Sequence, residues 1–198
     1  MMLLVRDRIL MTPKEINKKF TDLFEKISSD DFLKMKNLSG EIPFHVFTFE
    51  PEDQVEVDKA IAGLMVKLKN HGIQLLDLNL YDILIELLKA ELGEGLVFEL
   101  EEEMNREDFV DAVLSTVNLN EVFIPEIKKR INSSNADLYF ITGVGLAYPL
   151  IRSHKILNNI QSVAVKAPTV IFYPGEYDGK YLRLFGRLKK NYYRAFKL

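Results

Sequence analysis

Two glycines one residue apart, Gly143 and Gly145, follow an apolar run that ends at Ile141, and Arg152 comes shortly after them. The order is that of a strand, a tight turn and the start of a helix. Glycine lets a backbone approach a ligand closely, a helix start favours anions, and arginine can hold a phosphate through two parallel hydrogen bonds. Gly143, Gly145 and Arg152 are therefore the candidates for an anion or nucleotide site. The motif falls short of known phosphate loops. No Gly-x-x-x-x-Gly-Lys-Ser/Thr run occurs, and Tyr148 stands where a dinucleotide fingerprint has its third glycine. A plain strand-to-helix turn needing positive φ accounts for the same glycines.

The other chemistry-bearing residues point away from catalysis. Glu176 and Asp178 form a carboxylate pair in a glycine-rich stretch, but acid–base work needs a pocket that perturbs them, and shaping a turn between strands explains them equally. His45, His71 and His154 are far apart in sequence, so metal-ligand spacing is absent. No nucleophile-elbow pattern surrounds any serine. The chain has no cysteine, which excludes disulfides and thiolate chemistry and fits a reducing compartment. No catalytic residue, metal or cofactor is expected.

Charge is distributed unevenly. Ten acidic residues lie between Glu86 and Asp111 against Lys89 and Arg106 alone. Seven basic residues and no acid lie between Lys180 and Leu198, interleaved with Tyr181, Phe185, Tyr192, Tyr193 and Phe196. Cations alternating with aromatics suit nucleic-acid phosphates and base stacking, with Arg183, Arg187, Lys189, Lys190 and Arg194 as the contacts. The same pattern suits edge strands whose rings fill the core while the cations meet water or an acidic partner. One acidic flank and one basic end favour oriented docking.

The elements that must position these residues follow from periodicity and caps. Thr12-Pro13-Lys14-Glu15 is a helix start, and Ile16, Phe20, Leu23, Phe24 and Ile27 continue it as one apolar stripe over about 12–28. Strands are predicted at Ile42–Phe49, Ile73–Leu78, Asp137–Ile141 and Thr169–Tyr173, with shorter ones at Tyr181–Phe185 and Tyr192–Phe196. A helix opened by Pro51 ends at His71-Gly72, and Asn79 caps another. Two helices, Glu107–Val117 and about Glu121–Ile131, fall in an inserted segment near 92–132, with Glu99–Glu103 as a charged connector. A further helix spans about 148–160. Strands alternating with helices predict an α/β fold: a Rossmann-like three-layer domain with a mostly parallel sheet, an antiparallel C-terminal edge and an inserted helical segment.

The length of 198 residues suits a single domain, and 47% hydrophobic residues suffice for a core without disulfides. No uninterrupted apolar run is long enough for a membrane span, and no small-residue cleavage site follows a clean apolar stretch. A cytoplasmic protein with no membrane partner is expected.

The segments 141–161, 169–179 and 182–196 resemble the BrxB family of BREX phage-defence systems, formerly a family of unknown function. Weaker similarity reaches 41–53 and 78–88, and the segment 92–132 contributes none. The resemblance implies a multi-protein antiviral system that tells self from phage DNA by methylation and contains an adenine methyltransferase, a large ATPase and a PglZ-like phosphatase-fold protein. Within it, the BrxB-like component implies a non-enzymatic adaptor or regulator that docks a partner such as the PglZ-like protein. The alternatives are DNA or RNA binding through the basic segment, and a nucleotide-binding or hydrolytic domain at the glycine turn.

Overall fold

Thr12 opens the first helix through a reciprocal cap: its hydroxyl accepts the Glu15 N–H, and the Glu15 carboxylate takes the Thr12 N–H at 2.7 Å. In the computed structural model, which describes residues 10–36, 42–151, 153–186 and 191–198, this helix is α1, Pro13–Ile27. Its stripe of Ile16, Phe20, Leu23, Phe24 and Ile27 is buried, each side chain contributing roughly 1.5–3 kcal/mol. A single turn, α2 (Asp30–Leu33), follows.

The sheet is built from β1 (Phe44–Phe49), β2 (Leu75–Asn79), β3 (Leu138–Thr142), β4 (Thr169–Tyr177) and the two-residue β7 (Phe196–Lys197), in the order β2-β3-β4-β1-β7. All neighbours along that path are parallel. Alternation along the strands divides the side chains between two layers. Phe47, Phe49, Phe140, Val170 and Phe172 meet α1 and α3 (Gln54–Asn70). Phe44, Val46, Tyr139, Ile141, Ile171 and Tyr173 face the other way, towards α4 (Leu80–Leu92), α6 (Arg106–Thr116), α7 (Ile124–Ser133) and α8 (Ser153–Ile160). The result is the expected Rossmann-like three-layer α/β arrangement.

The antiparallel part is present, but it hangs from the end of β4 instead of a lateral edge. Thr169–Pro174 of β4 pairs with β1, and Gly175–Tyr177 then pairs antiparallel with β5 (Tyr181–Leu184), which pairs with β6 (Asn191–Tyr192). The strand expected over 192–196 is divided. Tyr193 still donates its N–H to the Lys180 carbonyl opposite it, and the run then leaves the ladder at Ala195, which donates to the Tyr177 hydroxyl. Phe196 and Lys197 continue as β7 beside β1, at the far side of the sheet.

Two other expectations are corrected. The charged stretch Glu99–Glu103 is not a connector but the last part of helix α5, Glu94–Glu103; glutamate is a good helix former, and Val97 anchors the helix at 4% exposure. The helix expected over 148–160 starts only at Ser153, because Pro149 has no N–H to continue a helical ladder and restricts Tyr148 before it. The Tyr148–Pro149 peptide is cis. Before α7, a π-helical turn over Leu119–Phe123 is capped by Asn118.

Candidate functional site

In an open parallel sheet, ligands bind beyond the carboxyl ends of the strands. Here those ends bring together Asn79, Thr142, Gly143, Gly145 and Pro174. The Asn79 side-chain oxygen caps α4, accepting the Tyr81 N–H at 3.1 Å and the Asp82 N–H at 3.2 Å. Gly143 turns directly over it with φ +67°, and a Cβ there would lie 2.1 Å from that oxygen. At Gly145 a Cβ would lie 2.9 Å from Pro174 Cγ and 3.4 Å from both Gln54 Oε1 and Phe185 Cε1. Tyr148 packs edge-on against Phe185, with ring centroids 5.8 Å apart. The close approaches that these glycines permit are thus made to the chain's own side chains. Arg152, the third member of the expected anion site, lies outside the described residues.

One group in this region went unnoticed in the sequence. Asp77 of β2 accepts a hydrogen bond from the Thr142 hydroxyl of β3 at 2.8 Å. Burial pushes its carboxyl up to about 6, opposed by the Thr142 bond and aided by the charge of Asp82. A carboxyl that keeps its proton close to neutrality has acid–base capacity. Its hydrogen-bond partner, however, is a hydroxyl, not a second titratable group. The signal was available as an acid interrupting the apolar run Leu75–Leu78.

The remaining candidates divide clearly. Glu176 pairs with Arg183 across β4 and β5 at 3.3 Å, and Asp178 accepts the N–H groups of Lys180 and Tyr181 at 3.0 and 2.7 Å. These two carboxylates shape the hairpin. His45 is buried between Phe32 and Phe196, with centroid separations of 4.5 and 5.3 Å. Burial, then the charge of Lys26, lowers its pKa to about 4, so it is neutral over the ordinary range. His71 sits at the end of α3, its Nδ1 3.0 Å from the Lys67 carbonyl. The side chain of His154 lies outside the described residues. Among the described residues no cluster of three or more potential ligands could hold a metal.

The basic segment is folded onto the body. Tyr193 is 1% exposed, Phe185 fills the strand-end crevice and Phe196 covers His45. The Tyr177 hydroxyl lies within hydrogen-bond distance of the Tyr193 and Ala195 carbonyls, and the Arg194 carbonyl accepts from Gln161 Nε2 at 2.8 Å. Tyr192 alone of the described aromatics in this segment is markedly exposed, at 58%, with Tyr181 edge-on to it. Arg183 is engaged by Glu176, and Arg194 is at the surface. Arg187, Lys189 and Lys190 lie outside the described residues.

This arrangement defines a class: a Rossmann-like three-layer α/β protein whose strand-end crevice is packed with its own side chains. Among the described residues no helix is long and apolar enough to cross a membrane. Residues 76–198 match the family model of the BREX protein BrxB. Over 190 residues the chain is 33% identical to the BREX protein BrxB of Bacillus cereus (strain H3081.97), covering 93% of this chain and 98% of that protein. It is 29% identical over 182 residues to the BREX protein BrxB of Escherichia coli O9:H4 (strain HS), covering 91% and 90% respectively. The chain belongs to the BrxB family, as the segments 141–161, 169–179 and 182–196 imply. No solved structure matches it.

Proposed function

We propose that this chain is a non-enzymatic docking component of a BREX-type defence assembly, an adaptor or regulator for a partner such as the PglZ-like protein. Its relatives are BREX proteins, so its partners are sought among the other BREX components. The observation that carries the reading is the strand-end crevice. Where α/β enzymes of this architecture place substrate, Pro174, Gln54 and Phe185 stand against Gly145, and Asn79 stands against Gly143. A protein with that crevice filled acts through its surface. The test is to mix the purified chain with the PglZ-like protein and measure complex mass by size exclusion with light scattering, at low and moderate salt. A stoichiometric complex is expected. Two separate peaks at both salts, or nucleotide turnover abolished by a point mutation in this chain, would overturn it.

A second reading rests on Tyr192. Its exposed ring lies beside Tyr181, over which Lys180 sits at 5.4 Å, and stacking rings with nearby cations suit single-stranded nucleic acid. It predicts salt-sensitive binding of DNA or RNA, weakened by Tyr192→Ala. An unshifted electrophoretic band at low salt would end it.

A further inference from the structure

We propose that the trough along α6 is the docking site for an amphipathic, cationic helix of a partner protein; this rests on the docking reading above and assigns the surface that performs it. The trough is apolar on three sides. Val110, Leu114 and Val117 line the α6 wall, Leu84 of α4 contributes to the floor, and the Tyr148–Ile151 segment forms the facing wall. It encloses about 590 Å³, within the ~300–1,000 Å³ range of binding clefts. Two of its walls leave large apolar side chains in water, Leu114 at 44% and Tyr148 at 37% exposure.

Shape selects an elongated occupant. A shallower continuation, lined by Arg106, Glu107, Val110 and Asp111, prolongs the trough towards the start of α6. The lining thus spans α6 from Arg106 to Val117, about 17 Å at 1.5 Å per residue, or three turns of a facing helix. Such a helix lays its apolar residues into a groove at i, i+3, i+4 and i+7 spacing.

Charge selects a basic one. Glu107 and Asp111 lie one turn apart on the side of α6 that carries Val110. The preceding residues Glu101, Glu102 and Glu103 close α5. Among the described residues none of these five acids is paired with a lysine or arginine. In the lining itself Glu107 and Asp111 outnumber Arg106, and that surplus of acid complements Lys or Arg flanking an apolar stripe. Among the described residues a second copy of this chain offers no such helix: α1 and α7, which carry basic faces, bury their apolar stripes within the chain's own core.

The test uses the full chain and a fluorescent peptide of about 14 residues, ~21 Å as a helix, with Leu and Lys at amphipathic spacing. The comparison is a scrambled peptide of the same composition, read by anisotropy at two salt concentrations. Wild-type chain is expected to bind the amphipathic peptide at least about tenfold more tightly than the scrambled one. Leu114→Gln and, on the facing wall, Tyr148→Ser are each expected to remove that preference while circular dichroism stays unchanged; melting should hold for Leu114→Gln and fall slightly for Tyr148→Ser, which gives up its edge contact with Phe185. Glu107→Gln with Asp111→Asn is expected to weaken binding chiefly at low salt. Equal binding of the two peptides, or an unchanged preference in both wall variants, would overturn the proposal. The same variants mixed with the PglZ-like protein separate the two readings. A complex that survives Leu114→Gln and Tyr148→Ser keeps the adaptor and removes the trough. Selective peptide binding without that complex keeps the trough and removes that partner.

Discussion

The Tyr177 hydroxyl takes the Ala195 N–H at 3.1 Å and lies 2.8 Å from the Ala195 carbonyl oxygen, so one phenol at the end of β4 anchors the chain's return towards β1. Tyr177→Phe leaves the Ala195 amide without this acceptor in a part-buried place. A loss of about 1–3 kcal/mol is expected by urea unfolding. Hydrogen exchange should accelerate over 193–198 before anywhere else. Unchanged protection there would show that β7 holds the segment without the phenol.

Asp77 makes stability depend on pH in an unusual direction for an acid. Its carboxyl is raised to about 6 from an ordinary 3.8, so between those values the folded chain holds a proton that the unfolded chain has released. Stability therefore falls as pH rises across that window and stays lower above it. Asp77→Asn keeps an acceptor for Thr142 and removes the buried charge. A gain on the order of 1–3 kcal/mol is expected at pH 7–8 and little at pH 4. An equal gain at both pH values would show that the buried charge is not the cause.

His45 acts in the opposite sense over nearly the same range. Its pKa is lowered to about 4 from 6.5, so stability present above pH 6.5 is lost as pH falls towards 4. The wild-type profile in this range is a difference of two slopes. His45→Phe, which keeps a ring between Phe32 and Phe196, should expose the rise that Asp77 produces on acidification. Asp77→Asn should expose the fall. Identical profiles for the two variants would refute the assignment.

Glycine substitutions separate close packing from open helix. At Gly143 an alanine meets positive φ and the Asn79 cap together, for an expected loss of about 2–4 kcal/mol. Gly63 lies inside α3, and a methyl group there would find nothing within 4 Å, so Gly63→Ala should stabilise by about 0.5–1 kcal/mol. Thermal melts of both variants side by side check the pair.

Local signals carried most of the element boundaries. The Thr12 capping box, the Asn79 cap and the His71-Gly72 stop are each decided within a few residues, and each was legible. Residues brought together by register were not. Asp77 meets Thr142 only because β2 and β3 align Asn79 with Thr142, and nothing near either residue in sequence states that alignment. Phe185 reads as one more aromatic of a basic segment, yet it fills the crevice beside Gly145. β7 was hidden for a related reason: two residues carry no periodicity, and their partner β1 lies at the other end of the chain. The acidic run was visible as charge and α6 as a helix; that the stretch before it is also helical, and that α6 borders an apolar trough, was not.

The sheet order also governs how the protein can be made. β1 and β2 come early in synthesis but are not neighbours; β3 and β4 must enter between them. Thr169, which begins β1's first partner, follows Phe49 by 120 residues, and the second partner comes later still. A nascent chain therefore carries Phe44–Phe49, an apolar strand open at both edges, until Thr169 and the residues after it have been made. Such a segment invites pairing with neighbouring chains and needs shelter until translation has passed β4. A chain interrupted before Thr169 has neither neighbour for β1 and leaves both edges of that strand exposed.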